Sequence, residues 1–297
     1  MRLVTFVDAG ERRPGALLGD RVIDLAAAQA GRRPGAPAFR DLQALIEAGP
    51  DVWSRLADDL TTKDWSPFAR PLAGLKLDAP VRPSKIVAIG QNYFDHVREQ
   101  NAPLPERPII FAKFPTTVIG PGDEIRWDPA LSDQIDWEAE LAVVIGRPAR
   151  RVRAADAYEY VFGYTVANDV TARDIQKGDG QWVRGKSLDT FCPLGPWIVT
   201  RDEVPEPHGL PIRTRVNGQV MQDSRTDQLI FRIPELIEFI TLAFTLLPGD
   251  IILTGTPPGV GAFRKPPIFL KDGDVVTVEV EGIGALTNPC RVDVGRN

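Results

Sequence analysis

The sequence predicts an α+β fold that is mostly β, with a closed or sandwiched β-architecture. Three observations lead there. Segments rich in β-branched and aliphatic residues recur after Lys85, each bounded by Gly or Pro turns. Helical periodicity is confined to a few stretches. Between them and the N-terminal part lies "SPFARPLAGLKLDAPVRPSK" (66–85), with four prolines and no sustained period. It reads as a surface linker, which divides the chain into a small N-terminal domain and linker, residues 1–80, and a larger domain, residues 81–297.

In chain order, "RLVTFVD" and "GALLGDRVIDLA" read as strands joined by the turn-forming "AGERRPG". "DLQALIEAG" reads as a short helix with Asp41 as N-cap and Gly49 past its end, and "DVWSRLADDL" as another. The larger domain supplies the strands "KIVAIG", "PIIFAKF", "ELAVVIG", "FGYTVANDV", "PLGPWIVT", "IRTRVNG", "DIILTG" and "DVVTVEVEG". "RIPELIEFITLAFTLLPGD" predicts one helix, with Pro234 in its first turn and Pro248-Gly249 ending it. No internal repeat or low-complexity segment is present.

The composition, 43% hydrophobic and 25% charged with a net charge of −5, is that of a soluble globular protein and excludes extended disorder. No Lys/Arg cluster is interleaved with aromatics, so no nucleic-acid partner is expected; "RPARRVR" (147–153) reads as a solvated turn. The two cysteines, Cys192 and Cys290, have neither metal-site nor disulfide-framework spacing and read as buried free thiols. "MRLVTFVDAG" lacks a signal-peptide core, and the apolar run "LIEFITLAFTLL" is broken by Glu238 and too short to span a bilayer. A cytoplasmic protein with no membrane partner is expected.

"IDWEAELAVVIG" (135–146) carries Glu138 and Glu140 two positions apart on an apolar strand. Strand side chains alternate, so both point the same way, about 7 Å apart. Their face continues with Ala142 and Val144, and the other face is apolar too, so the strand runs into the core. Two glutamates at its entrance would repel and lose their hydration unless a cation or protons compensate. Asp169, in "YTVANDVTARD", is a third carboxylate in an apolar strand. Three carboxylates without a nearby His or Cys favour a hard, oxygen-loving ion: Mg²⁺ fits best, with Mn²⁺ and Ca²⁺ as alternatives.

Together, "EAELAVVIG", "VANDVTARDIQ", "GKSLDTFCPLGPW", "LLPGDIILTGTPPGVG" and "NYFDHVRE" resemble the fumarylacetoacetate hydrolase family, in its motif order, over residues 85–297. Residues 1–80 resemble, more loosely, the small N-terminal domain of bacterial members. The resemblance implies a mixed β-roll or sandwich, Mg²⁺ held by Glu138, Glu140 and Asp169, and a homodimer. His96 and Glu99, three apart in "NYFDHVREQN", read on spacing alone as an exposed helical pair. The resemblance instead makes them a lid pair that activates water, with His96 as general base. It places Lys186 at the metal site, where it stabilises negative charge on the substrate, and gives Gln176 a role in orienting substrate or water. It also makes Thr254, Gly255 and Thr256 a cradle for a substrate carboxylate, where the bare sequence shows a Gly/Pro turn. His208, in the proline-flanked "PEPHGLP", reads as structural.

The reading that follows is a Mg²⁺-dependent hydrolase cleaving a C–C bond in a 2,4-dioxo acid, of the acylpyruvate, fumarylpyruvate or diketo deoxy-sugar acid kind. The alternative is an isomerase or decarboxylase of related oxo-dicarboxylates, oxaloacetate or hydroxymuconate-type ring-cleavage products. A non-catalytic, metal-dependent binding protein is a third reading, but it has no need of both His96 and Glu99.

Overall fold

Every residue of the strand Ala139–Ile145 is buried, because it has a sheet neighbour along each edge and a hydrophobic core against each face. The computed structural model that shows this describes residues 1–32 and 39–293. The strand pairs antiparallel with Val161–Asn168 and with Ile251–Leu253. Leu141, Val143 and Ile145 pack into one core with Tyr164, Leu236 and Val278. Ala142 and Val144, on the alternate face, join a second core with Phe162, Ile198, Leu45 and Ile46.

These three strands lie within a twelve-stranded sheet that continues through Ile86–Gly90 and Ile109–Lys113 on one side and Cys192–Thr200 on the other. A five-stranded sheet runs Gln219–Arg225, Pro211–Val216, Val275–Val280, Gly284–Val292, Ile125–Trp127, and contributes Ile212, Val278 and Leu286 to the first core. The mostly-β architecture is as expected. The N-terminal strands extend the large sheet, since Arg2 and Leu3 pair with Val199 and Ile198.

Several local expectations differ from the structure; "AGERRPG", read as a turn, turns only at Ala9-Gly10 and continues as strand from Glu11. Within 66–85, read as an unpaired linker, Ala69–Pro71 pairs with Arg21–Asp24, and Lys76–Asp78 pairs with Arg2–Asp8. Pro71 is tolerated because its strand is the outermost of the sheet. The helix expected to reach Pro248 ends at Ala243. Leu246 instead exchanges both backbone hydrogen bonds with Ala149, at 2.8 and 3.0 Å, so a tertiary pairing overrides the apolar run. The strand expected over 135–146 breaks at Trp137-Glu138. Ile135–Asp136 pairs separately with Thr171–Ala172. At the break, side chains replace ladder partners: Glu138 N–H donates to Asn168 Oδ1 (3.0 Å) and Ala139 N–H to Gln222 Oε1 (2.9 Å). The helix Leu42–Glu47 is capped as expected, with Ala44 N–H donating to Asp41 Oδ1. No helix among the described residues is long and apolar enough to cross a membrane.

Candidate metal centre and active site

Glu138, Glu140 and Asp169 converge although they come from two strand ends. Glu140 lies opposite Ala167 in the ladder, and Asp169 N–H donates to the Glu138 carbonyl at 2.9 Å across the break. Each offers a carboxylate oxygen, and these oxygens lie within 4.8 Å of one another. All three side chains are buried.

Three buried cations answer them. Lys113 Nζ is 2.6 Å from Asp169 Oδ1. Lys186 Nζ bridges Glu138 Oε2 (2.7 Å) and Asp169 Oδ2 (2.8 Å). Arg173 reaches Glu138 Oε1 through Nη2 (2.7 Å) and Asp136 Oδ2 through Nε (2.8 Å). Asp136 also accepts the backbone N–H groups of Gly261 (2.6 Å) and Ala262 (3.0 Å), which pins that loop to the cluster. Four carboxylates thus face three cations. Glu140 is the carboxylate in no ion pair among the described residues; its Oε2 accepts only Gly255 N–H, at 2.6 Å.

This imbalance sets the electrostatics. Burial would raise the Glu138 carboxyl, but the Lys186 and Arg173 charges outweigh it and hold it at about 2. Glu140 is pushed well above the ordinary carboxylate value, first by burial and then by the Asp169 and Glu138 charges. Burial opposes the Lys186 ammonium, yet Asp169 and Glu138 raise it above its usual value, so it stays charged. A buried carboxylate lacking a countercharge is costly. A divalent cation fits this set: the donors are hard oxygens, and the charge missing at Glu140 is the charge it would bring.

The cluster opens into a cavity of about 250 Å³ lined by Glu138, Arg173 and Lys186 on the charged side and by His96, Gln176 and Thr256 among others. His96 lies on the helix Phe94–Glu99, with Nδ1 3.0 Å from Glu99 Oε2. The other Glu99 oxygen accepts Gly259 N–H at 3.0 Å, which ties the helix to the loop across the cavity. A carboxylate on Nδ1 favours a proton there and leaves Nε2 to accept one. The helix is anchored by Asn92, whose side chain bonds the Phe231 and Thr254 backbones.

Not every expected site residue faces the cavity. Thr254 is fully buried, and its hydroxyl donates to the Leu141 carbonyl at 2.8 Å, so it supports the strand end. Gly255 directs its N–H at Glu140, not at a ligand. It does so with φ +103°, where an added Cβ would lie 2.9 Å from Asn92 Cβ, so glycine is needed. Thr256 does line the cavity; its hydroxyl accepts Gln222 Nε2 at 2.9 Å, which frees its own proton to donate elsewhere. Gln176 lines the cavity and accepts Arg173 Nη1 at 3.0 Å. His208 lies outside the cavity lining and accepts Ile233 N–H at 3.3 Å. The sequence reading missed Lys113, Asp136, Arg173 and Gln222. Arg173 and Asp136 stand inside motifs already singled out, and Lys113 in "PIIFAKF" is a charge in an apolar strand, the same signal that exposed the glutamates.

Residues 85–291 match the family described as "Fumarylacetoacetate (FAA) hydrolase C-terminal". The chain is 46% identical to an oxaloacetate tautomerase of Xenopus laevis, "fahd2, mitochondrial", over 97% of this chain and 90% of that one. Among solved structures, a fumarylacetoacetate hydrolase from the psychrophile Exiguobacterium antarcticum superposes with a TM-score of 0.86 at 36% identity, covering 99% of this chain and 100% of the other. A 5-carboxymethyl-2-hydroxymuconate delta-isomerase from Mycobacterium smegmatis gives 0.77 at 41% identity, over 99% and 100%.

Proposed function

The chain belongs to the fumarylacetoacetate hydrolase family, and on that premise we propose that it is an Mg²⁺-dependent isomerase that interconverts the keto and enol forms of a short 2-oxo dicarboxylate, oxaloacetate being the first candidate. The observation that carries this over C–C hydrolysis is the likeness to a tautomerase along nearly the whole chain, with a 5-carboxymethyl-2-hydroxymuconate delta-isomerase among the structural relatives. The sequence reading puts hydrolysis first, but both reactions need the same electron sink. C–C hydrolysis therefore stands second.

In this proposal Glu138, Glu140 and Asp169 hold the ion. When bound, it supplies Lewis-acid polarisation of the 2-oxo group. The charge count supports an anionic substrate: the cluster carries one excess negative charge, so a divalent ion leaves it positive. His96, with Nδ1 committed to Glu99, presents Nε2 as the base that takes a proton from the carbon beside the carbonyl and delivers it to the enolate oxygen, the reverse transfer giving back the keto form. Lys186 uses two N–H groups on Glu138 and Asp169 and keeps a third for negative charge developing on the substrate oxygen. Thr256 donates its hydroxyl proton to a substrate carboxylate. We extend the proposal to a homodimer, supported by the exposed apolar side chains Phe114 and Leu131 beside the Val183–Lys186 segment.

The test compares two substrates. With Mg²⁺, catalytic amounts of protein should speed the decay of the oxaloacetate enol absorbance without matching pyruvate release. Cleavage of an acylpyruvate with no acceleration of enol decay would replace the isomerase by the hydrolase.

A further inference from the structure

Beyond Lys186 the cavity wall is aromatic. The Lys186 ammonium lies over the Phe111 ring, 5.1 Å from its centroid. Trp182 meets the same ring edge-on, with centroids 5.3 Å apart and planes at 67°. Both rings line the cavity. The contacts run in order from Glu138 to Lys186, Phe111 and Trp182, so the indole stands two contacts beyond the Lys186 ammonium.

Two features fix the indole there. It lies on the backbone at Gly90, where an added Cβ would fall 2.3 Å from Trp182 Cζ3 and 2.8 Å from Cη2. The missing side chain is what admits the ring. Trp182 also opens the short helix Val183–Lys186 and accepts Lys186 N–H at 3.0 Å, so one segment sets the ammonium and the indole at a fixed separation.

We propose that Trp182, seated on Gly90 and Phe111, is a length gate. It ends the cavity a fixed distance from the charge cluster, so that 2-oxo dicarboxylates of four or five carbons fit and 2-oxo acids with longer chains are excluded. This rests on the reading that the cavity takes a 2-oxo dicarboxylate, and it names which members of that class enter. A large rigid ring suits the task, because it cannot fold away as an aliphatic chain would.

The test is calorimetric titration of the full chain, in excess Mg²⁺, with oxalate, 2-oxoglutarate and 2-oxoadipate. One methylene too many against a fixed wall costs about tenfold or more, so the wild-type Kd should rise by at least about tenfold from 2-oxoglutarate to 2-oxoadipate. Trp182→Ala should shrink that step to about twofold or less, by the same arithmetic once the wall is gone. Trp182→Phe, which keeps an aromatic edge on Phe111 but clears Gly90, should fall between. A wild-type step retained in a Trp182→Ala protein that still binds oxalate overturns the gate. If Trp182→Ala binds no oxalate, an unchanged step in Trp182→Phe overturns it. The step reads the gate by binding alone, so a collapsed step in a protein that does not speed enol decay would uphold the gate and reject the isomerase.

Discussion

The carboxylate cluster and the His96 helix serve one cavity but are held there by different means. Glu138, Glu140 and Asp169 stand at the ends of fully buried strands, and Glu138 and Asp169 each contact two buried cations. Their positions are over-determined. His96 sits on a six-residue helix held by individual side-chain contacts: Glu99 to Gly259 N–H, Asp95 to the Ser224 hydroxyl, and the His96 ring edge-on to Phe263. Charge is built into the sheet, whereas the proposed base is attached to it. Substitutions in the cluster should therefore move stability and ion binding together, and substitutions on the helix should move turnover alone.

The largest effects should come from the cluster, and with opposite signs. Asp169→Asn leaves Lys113 and Lys186 short of a buried partner and should cost about 3–5 kcal/mol of stability. Glu140→Gln removes the carboxylate in no ion pair and should stabilise the metal-free protein. It should also abolish stabilisation by Mg²⁺, which in the wild type amounts to about 2.7 kcal/mol at a hundredfold excess over Kd. Urea unfolding with and without Mg²⁺ reads both; equal destabilisation by the two variants would break the distinction between paired and unpaired carboxylates.

Next comes the helix. His96→Gln should slow turnover by about 10²–10⁴-fold, the range for loss of a general base. The Mg²⁺ titration should stay as in the wild type. A parallel loss of ion binding would mean that the helix helps to hold the cluster, and the two regions would no longer be separable.

Thr256→Val should raise KM for dicarboxylates by the equivalent of about 1.5–3 kcal/mol, the worth of one hydrogen bond to a charged group. The matched monoester should suffer less. Equal loss on acid and ester would return Thr256 to a turn-forming role alongside Thr254.

The smallest effect concerns the other histidine. Burial lowers His208 from its ordinary 6.5 against the opposing Glu206 charge. The unfolded chain therefore binds more protons just below that value, and stability present above pH 6.5 is lost as pH falls through the window. His208→Gln should flatten this slope in pH-dependent melting without touching turnover. A change in turnover would show that the cavity senses His208.

What could be read beforehand follows the same division. Glu138, Glu140 and Asp169 were legible because charges in apolar strands demand an explanation. Arg173 and Lys113 carry the same signal, but a lone cation has no spacing to mark it, and its partner lies far off in sequence. The family resemblance makes Thr254 and Gly255 ligand contacts, where the bare residues read as a Gly/Pro turn; the fold shows them bonded to Leu141 and Glu140. The early end of the Ile233–Ala243 helix depends on the pairing of Leu246 with Ala149, which no local pattern encodes. The reaction itself was the least legible, since the proposed metal-bound electron sink would serve hydrolysis, decarboxylation and tautomerisation alike.

In the proposed reaction the site moves a proton at the carbon beside the 2-oxo group without breaking a C–C bond. Deuterium exchange at C3 of oxaloacetate, followed by NMR in D₂O with Mg²⁺, tests it most directly. The wild type should accelerate exchange far beyond the Mg²⁺ buffer alone, His96→Gln should lose that acceleration, and pyruvate should not accumulate in step. Exchange at the buffer rate, or pyruvate formed as fast as deuterium enters, would contradict it.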